Sequence, residues 1–518
     1  MLAFHEVIDS FSRISPERIV VRDDSRALSY EKLALHGTNL ANYFNIKGVS
    51  KGDRVGLLAY NCVEFAELMY ATSKLGVILM PINFRLALDE ILEIFKDSTP
   101  KFFLYHSVFK YVFTESVKKN YFKNENCICI DNKKHMSKKY LYTISKNKRN
   151  KKPISNINID SNWSLMYTSG TTGKPKGVVR SHKGYYLLSS ITAIELKITK
   201  LDKALLVMPL CHANSFNFFC AYIFAGASVC LYSRKSFEAK YFFKLITKYT
   251  CSFTSLVPTH FIILLDYIKK NNKKNMIKQA FNFMISSAPV RKDTKKDILK
   301  YFKSANLFEL YGSSESGWVT MLHPEDQFKH LGTVGKECVG SKAIKLLDDK
   351  YNEVPDGNIG ELFACTPYNF SHYWKNNTKT KEAFYKDYVS VGDLALRNKN
   401  GYIQLVERKK NMIISGGENI YPSEVENVIG GHQLVKDVAI IGCKDLKWGE
   451  IVCAFVVLQD NKVLDEKILI NWTKRKIASY KCPKKVFFIK DIEMPRNATG
   501  KILHKILKEK VNFKKETI

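Results

Sequence analysis

Apolar runs of strand length alternate with longer amphipathic stretches over most of the chain, from residue 1 to about residue 410. Strands that alternate with helices are typical of α/β domains with a mostly parallel sheet. The clearest examples are RVGLLAY (54–60), VEFAELMYATSKLG (63–76), VILMPIN (77–83), ALLVMPL (204–210) and ASVCLY (227–232). We therefore predict a large N-terminal α/β domain. Residues 110–160 are polar and rich in Lys and Asn, which predicts a weakly ordered connection.

The pattern changes after Arg408. A short basic stretch leads into MIISGGENIYPSEVE, which is followed by apolar strand patterns, a helix around residues 463–479 and KVFFIKDI (485–492). About 110 residues with their own α+β pattern are enough for a separate domain. We predict a large domain over residues 1–408 and a small domain over residues 409–518.

Length and composition indicate a globular protein of about two to four domains. The chain has 518 residues, of which 45% are hydrophobic and 25% are charged. The run from Phe216 to Tyr232 is shorter than the roughly 20 residues of a spanning helix, so we expect a buried helix and then a buried strand. The N-terminus lacks the apolar core of a signal peptide. The 12 cysteines lack zinc-ligand spacing, which predicts reduced thiols in a cytoplasmic protein.

The net charge first suggests a polyanion as partner. Lys and Arg total 81 against 50 Asp and Glu, a difference of +31. The excess is almost entirely Lys, and the lysines cluster where loops are expected. There is no aromatic and basic pattern of the kind that reads bases. We therefore predict a solvated basic surface with no specific nucleic-acid site, and at most peripheral association with membranes.

The segment Tyr167-Thr-Ser-Gly-Thr-Thr-Gly-Lys-Pro-Lys-Gly177 follows a strand-like run and carries the most informative chemistry. Its glycines permit close approach of the backbone, its hydroxyls donate hydrogen bonds, and its two lysines supply positive charge. These properties predict a phosphate-binding loop. The loop differs from a Walker A motif, because Pro175 follows Lys174 and no GK[ST] is present.

YTSGTTGKPKG resembles the signature loop of the AMP-forming adenylate enzymes, the superfamily of acyl-CoA synthetases, aryl-CoA synthetases, peptide-synthetase adenylation domains and luciferases. Other motifs of that superfamily follow in order: MPLCHANS (208–215), YGSSE (311–315), VGD (391–393), GGENIYP (416–422) and PRNATGK (495–501). The resemblance covers essentially the whole chain. It implies a large domain of doubly wound mixed sheets and a small mobile C-terminal α+β domain.

The resemblance assigns roles in ATP binding. In the signature loop, the residues that close over the phosphates would be Thr168, Ser169, Gly170, Thr171, Thr172, Gly173 and Lys176, with Thr171 counted as catalytic. Ser287 and Ala288 would form the adenine-binding turn, with serines where glycines are usual. Tyr311 and Gly312 would meet adenine, Ser314 would lie near the α-phosphate, and Glu315 would hold Mg²⁺.

The resemblance also assigns roles to residues in ribose binding, in the hinge and in the small domain. Asp393 and Arg408 would form the ribose pair, in which the Asp393 carboxylate accepts hydrogen bonds from the ribose hydroxyls. Lys410 would be the pivot between domains. Gly416 and Gly417 would meet pantetheine. Lys501 would bridge the carboxylate and the α-phosphate during adenylation. His212, Val257, Pro258 and Trp318 would line the acyl pocket, whose apolar bias favours a medium- or long-chain fatty acid or an aryl acid.

The implied reaction is attack of a carboxylate on the α-phosphorus of ATP, followed by transfer of the acyl group to a thiol. The implied cofactors are ATP, Mg²⁺ and coenzyme A (CoA). A free acyl-carrier protein is the alternative acceptor, and loading of an acyl or amino acid onto a carrier thiol is the alternative function. A non-enzymatic protein that binds nucleic acid or membranes would explain the charge but none of the ordered motifs.

Overall fold

The computed structural model of the chain describes residues 1–132, 135–136, 140, 143, 157–168, 175–272, 276–416, 418–496 and 502–513. Within them, the largest sheet has nine strands. Its strands, in spatial order, are Lys336–Glu337, Gly317–Leu322, Ala305–Ser313, Phe281–Ser286, Phe253–Leu256, Lys203–Leu206, Ser228–Leu231, Ile19–Arg22 and Ala27–Ser29. The five strands from Ala305–Ser313 to Ser228–Leu231 pair in parallel.

A second large sheet contains the strand before the signature loop and the strand that follows it. Its strands, in order, are His372–Tyr373, Lys176–Ser181, Asn162–Thr168, Ile78–Pro81, Arg54–Leu58, Phe102–Tyr105 and Cys127–Cys129. Asn162–Thr168 and Lys176–Ser181 run antiparallel, with Thr168 opposite Lys176. The two strands therefore hold both ends of the loop close together.

Helices cover the faces of these sheets. The α-helices of the large domain are Phe4–Ile14, Tyr30–Ile46, Val63–Leu75, Leu88–Ser98, Lys110–Lys118, His182–Glu195, Ala213–Phe224, Ala239–Tyr249, Pro258–Lys270, Lys292–Tyr301 and Asn377–Ala383, among the residues described. A continuous apolar core joins the two sheets and includes the buried rings of Trp163, Phe216 and Trp318. The predicted large α/β domain of mixed sheets is confirmed.

A smaller antiparallel sheet completes the large domain. It consists of Lys345–Leu347, Gly360–Phe363, Asp393–Arg397 and Ile403–Arg408. A short hairpin of Phe384–Tyr385 and Tyr388–Val389 lies apart from it, and another joins Asp131–Asn132 to His135–Met136. The last strand of the sheet ends at Arg408, where the sequence pattern changes.

The C-terminal region has its own sheet and core, as expected of a small α+β domain. Its strands are Ile413–Ser415, Glu418–Ile420, Val435–Asp445, Gly449–Leu458 and Lys485–Phe488, and its helices are Pro422–Gly430, Glu466–Lys474 and His504–Phe513. Strand Gly449–Leu458 pairs in parallel with strand Lys485–Phe488, and the helix Glu466–Lys474 lies between these two strands in the sequence. A single 3₁₀ turn, Lys409–Asn411, separates this sheet from the preceding strand.

The prediction of a weakly ordered connection over residues 110–160 is wrong for its first part. Helix Lys110–Lys118 and strand Cys127–Cys129 lie there, and Val112 and Cys127 are buried against the second sheet. Many lysines surround the few apolar positions in this segment, so the sequence pattern did not indicate either element. Those few apolar positions are sufficient to anchor both elements. The segment Phe216–Tyr232 forms the predicted buried helix and strand. The 12 cysteines are thiols that form no disulfide bonds, and no helix among the described residues is long and apolar enough to cross a membrane.

Candidate active site

The motif residues of the large sheet lie where its parallel strands end. Each of four motif residues lies at or after the end of one strand. His212 comes after Lys203–Leu206, Val257 after Phe253–Leu256, Ser287 after Phe281–Ser286, and Tyr311 lies near the end of Ala305–Ser313. Carboxyl ends of parallel strands meet at one edge of a sheet, and ligands of open α/β folds bind in the crevice outside that edge. Four motifs that are far apart in sequence thus share one edge.

Asp393, Arg408 and Tyr311 form one connected group. Asp393 and Arg408 lie opposite each other on paired strands, and Arg408 Nε lies 2.8 Å from Asp393 Oδ1. The Tyr311 hydroxyl donates to Asp393 Oδ2 at 2.7 Å. Burial acts to lower the pKa of Arg408, but the charge of Asp393, together with Tyr311, Glu315 and the hydrogen bond to Asp393, outweighs burial and raises that pKa. The predicted ribose pair is therefore preassembled next to the predicted adenine residue.

Glu315 is buried and held by an aromatic residue that the sequence reasoning missed. The Tyr373 hydroxyl donates to Glu315 Oε1 at 2.7 Å, and the Lys176 ammonium lies 4.5 Å from the centre of the Tyr373 ring. Burial and the Glu315 charge both raise the pKa of Tyr373, so it stays a neutral donor. Burial lowers the pKa of Lys176, while Glu315 opposes this change. Tyr373 thus brings the end of the signature loop together with the predicted metal carboxylate.

Arg180 is a second residue that the motifs did not indicate. It is buried on the strand Lys176–Ser181, and its Nε donates to the carbonyl of Ser314 at 2.8 Å. Alternation along a strand places Lys176 and Arg180 on the same face of the sheet. Arg180 directly follows the apolar pair Val178-Val179 in KGVVRS. A charged residue in the middle of a strand-like run is the sequence signal that could have identified Arg180. Arg180 thereby ties the backbone before Glu315 to the strand that follows the signature loop.

Two backbone positions explain the small residues of the motifs. A Cβ atom on Gly312 would lie 2.0 Å from the carbonyl oxygen of Gly317, so no other residue fits there. Ser287 has φ of 69°, in the left-handed region that favours glycine. The turn at the end of strand Phe281–Ser286 therefore keeps a glycine-like backbone although a serine occupies it, at a conformational cost of roughly 1–2 kcal/mol.

Of the predicted acyl-pocket residues, Val257 and Trp318 are buried, and His212 and Pro258 are partly buried. His212 directly precedes helix Ala213–Phe224, and Pro258 begins helix Pro258–Lys270 just after Val257. Burial, with a contribution from the Arg85 charge, lowers the pKa of His212 to about 4, so its imidazole is neutral at pH 7. Trp318 packs on Phe218 with ring centres 4.9 Å apart and donates from Nε1 to Thr192.

An open cleft adjoins this pocket and has a cationic rim. Its empty volume is about 490 Å³ including open solvent, and Met208, Pro209 and His260 lie on its wall. The residues that supply its positive charge are Arg85, Arg234 and Lys235. Burial and Arg85 lower the pKa of His260 to about 4, as for His212, which places both imidazoles near the same guanidinium.

The remaining predicted residues lie outside this group or outside the described residues. Thr168 lies at the base of the signature loop, where its hydroxyl is 3.5 Å from the carbonyl of Lys176. Ala288 follows Ser287, Lys410 lies in the 3₁₀ turn, and Gly416 has φ of 59° and contacts Trp448 through its backbone. The predicted residues outside the described part of the chain are Ser169, Gly170, Thr171, Thr172, Gly173, Gly417 and Lys501.

Glu315 fits a magnesium ion that is shared with phosphates. Among the described residues, no three His, Cys, Asp or Glu side chains come together as a complete metal site. Mg²⁺ usually takes one or two protein carboxylates and completes its shell with water and substrate phosphates. The buried Glu315 carboxylate, which accepts a hydrogen bond from Tyr373 on one of its oxygens, has the chemistry of such a site.

The sheet edge, the buried carboxylate of Glu315 and the sequence of the phosphate-binding motif suit an ATP-dependent activating enzyme. The sequence profile of the AMP-binding enzymes matches residues 9–374, and the profile of their C-terminal domain matches residues 424–501. The chain is 31% identical over 488 residues to the long-chain-fatty-acid–CoA ligase FadD13 of Mycobacterium tuberculosis, a match that covers 93% of each protein.

Solved structures agree with these matches. The o-succinylbenzoate CoA synthetase of Bacillus subtilis, in complex with its acyl-adenylate intermediate, superposes with a TM-score of 0.85 at 26% identity over 97% of each chain. ATP-bound MatB of Rhodopseudomonas palustris superposes with a TM-score of 0.89 at 25% identity, over 98% of this chain and 99% of that one. The chain belongs to the AMP-binding enzyme family. The predicted class, an AMP-forming acid–thiol ligase, and the predicted fold are confirmed.

Proposed function

We propose that this enzyme uses ATP to convert a fatty or aryl carboxylic acid into an acyl-adenylate with release of pyrophosphate, and then transfers the acyl group to CoA. The observation that carries the proposal is that side chains from three sheets meet around the short segment 311–315. Asp393 and Arg408 join Tyr311 at one end of this segment, and Tyr373 and Lys176 join Glu315 at the other. The buried Phe218 and Trp318 support an apolar acyl group. The similar ligases are named for a long-chain fatty acid and for o-succinylbenzoate.

The reaction requires the protein to position the carboxylate and ATP, and it does not require a nucleophile from the protein. A carboxylate is a poor acyl donor, and its attack on the α-phosphorus replaces an oxide leaving group with AMP. Asp393 and Arg408 would fix the ribose, and Lys176 and Lys501 would neutralise charge on the phosphates. Mg²⁺ on Glu315 would supply further charge neutralisation. The hydrogen bond from Tyr373 would keep the Glu315 carboxylate in one orientation.

The cationic cleft supports CoA as the acceptor. Arg85, Arg234 and Lys235 present guanidinium and ammonium groups of the kind that bind phosphates, and CoA carries several phosphates. The cleft adjoins His212 and Met208, so a thiol that enters there would approach the acyl group from outside the pocket. We also propose a cytoplasmic location, because the 12 cysteines are thiols that form no disulfide bonds.

A panel of fatty and aryl acids in a pyrophosphate-release assay, with and without CoA, tests the function directly. We expect release that depends on the acid, and a CoA thioester as the final product. A free acyl-carrier protein replaces CoA in a parallel series. Failure of every acid to release pyrophosphate would refute the proposed activity.

Replacing Asp393 with Asn should raise the KM for ATP by roughly 10- to 100-fold, about the value of one charged hydrogen bond. The substitution removes the acceptor charge proposed for the ribose and leaves the Arg408 guanidinium without its partner. Tyr311→Phe is the matched control, since it removes only the hydroxyl that contacts Asp393 and keeps the ring. Initial rates at varied ATP measure the effect, and an unchanged KM for ATP in Asp393→Asn would contradict the ribose assignment.

We further propose that residues 1–408 and 409–518 are the two domains and that Lys410 is the pivot between them. The turn Lys409–Asn411 joins strands of two different sheets, which supports this division. Beside the turn, the backbone N–H of Ser423 donates to Glu407 Oε2 at 3.1 Å, so the small domain contacts the strand that leads into the pivot. Rotation about Lys410 would exchange Lys501 for the GGENIYP loop at one site.

Lys410→Pro should slow thioester formation at least about tenfold more than adenylation, because proline fixes φ at the pivot. Lys410→Ala is the control, since it removes the same charge but keeps backbone freedom. The two half-reactions are measured separately, as pyrophosphate exchange and as transfer from preformed acyl-adenylate to CoA. Equal losses in both half-reactions would eliminate Lys410 as the pivot.

A further inference from the structure

Two asparagines of helix Ala213–Phe224 carry buried amide atoms without hydrogen-bond partners among the described residues. Asn217 is 0% exposed, and neither its Oδ1 nor its Nδ2 has a partner there. Asn214 is 9% exposed; its Nδ2 donates to Ser286 Oγ at 3.0 Å, while its Oδ1 lacks a partner. Buried polar groups are nearly always paired, so two such residues on one helix indicate a function.

The position of these asparagines connects them to the acyl pocket. Their helix begins directly after His212, and residues three apart lie on the same helix face. Asn214 reaches Ser286, at the end of the strand that leads into the adenine turn. Asn217 directly precedes Phe218, which packs on Trp318. Asn214 therefore lies beside the predicted adenine turn, and Asn217 lies on the same face of the helix that begins directly after the predicted pocket residue His212.

We propose that Asn214 and Asn217 select a carboxylic acid that carries a hydroxyl group on its chain or ring. This inference rests on the proposed function. The two side chains offer one donor and two acceptor atoms, and a hydroxyl group both donates and accepts hydrogen bonds. A plain hydrocarbon chain would leave all three atoms unpaired. Sites built to bind a substrate hydroxyl discriminate strongly against the analogue that lacks it.

The test compares acids that share a carbon skeleton and differ only in a hydroxyl group. 3-Phenylpropanoate is measured against its 2-, 3- and 4-hydroxyphenyl forms, and dodecanoate against its mid-chain and terminal hydroxy forms, each by kcat/KM for pyrophosphate release. We expect the best hydroxy acid to exceed its parent by about 100-fold or more. Asn217→Leu should reduce that ratio at least about tenfold, because leucine cannot pair with the substrate hydroxyl.

Asn39→Leu is the matched control, because Asn39 is also a buried helical asparagine but lies in Tyr30–Ile46, away from the pocket. It should leave the ratio unchanged whatever its effect on stability. If Asn217→Leu fails to fold, Asn214→Ala tests the same ratio. Parent acids that react as well as every hydroxy form would overturn this inference and leave the ligase function intact. An absence of turnover with all acids would instead refute the proposed function.

Discussion

Replacing Lys501 with Ala should lower the rate of adenylation by roughly 10² to 10³, the loss expected for one preorganised electrostatic contact. The proposed role of the Lys501 ammonium is to bridge the substrate carboxylate and the α-phosphate, where negative charge accumulates as the new bond forms. Carboxylate-dependent pyrophosphate exchange measures this half-reaction. The second half-reaction, transfer from preformed acyl-adenylate to CoA, should fall much less, because Lys501 would have left the site.

The described residues on either side of Lys501 are tied to each other and to the small domain. Arg496 and Ile502 form an antiparallel bridge, and the backbone N–H of Leu503 donates to the carbonyl of Pro495 at 2.8 Å. Arg496 also pairs with Asp437 on the strand Val435–Asp445 of the small domain. Both ends of the segment are thereby fixed to the C-terminal sheet, so movement of the small domain would carry Lys501 with it.

Lys505 provides a control that distinguishes a specific role of Lys501 from the general effect of losing one positive charge. Lys505 is exposed on helix His504–Phe513 and lies 3.8 Å from Glu509. Lys505→Ala removes the same charge four residues away and should leave pyrophosphate exchange within about twofold of the wild-type rate, since exposed ion pairs contribute little. Exchange at the wild-type rate in Lys501→Ala would eliminate the proposed bridge.

The sequence predicted the elements that periodicity determines and the site residues that local motifs carry. Strand Arg54–Leu58, helix Val63–Leu75 and strand Ser228–Leu231 fall inside the predicted segments, because their burial requires apolar residues at most positions. The pairing of Asp393 with Arg408 was predicted as a ribose pair, and the two residues are strand partners. Motif spacing was sufficient here because both residues belong to one antiparallel hairpin.

The contacts that sequence reasoning missed join distant segments. Tyr373 and Glu315 are 58 residues apart, and Arg180 and Ser314 are 134 residues apart. Such contacts depend on how two sheets face each other, which no local pattern encodes. The unpaired amides of Asn214 and Asn217 were also missed, because burial is needed to turn an ordinary asparagine into a specificity signal.

Replacing Glu315 with Gln should lower the adenylation rate by roughly 10² to 10³ and raise the Mg²⁺ concentration required for half-maximal rate. Glutamine has the same length, and its carbonyl oxygen can still accept the Tyr373 hydrogen bond, so the change removes mainly the negative charge. That charge is the part of the side chain that a magnesium ion needs. Pyrophosphate exchange over a series of Mg²⁺ concentrations measures both effects.

Tyr373→Phe separates the charge of Glu315 from its orientation. It removes the hydroxyl that donates to Glu315 Oε1 and keeps the ring that the Lys176 ammonium approaches. Loss of one hydrogen bond to a charged group corresponds to about 1.5–3 kcal/mol, or roughly 10- to 100-fold in rate. We therefore expect Tyr373→Phe to fall between wild type and Glu315→Gln. An unchanged Mg²⁺ requirement in Glu315→Gln would assign the metal to other residues and leave Glu315 as a purely structural partner of Tyr373.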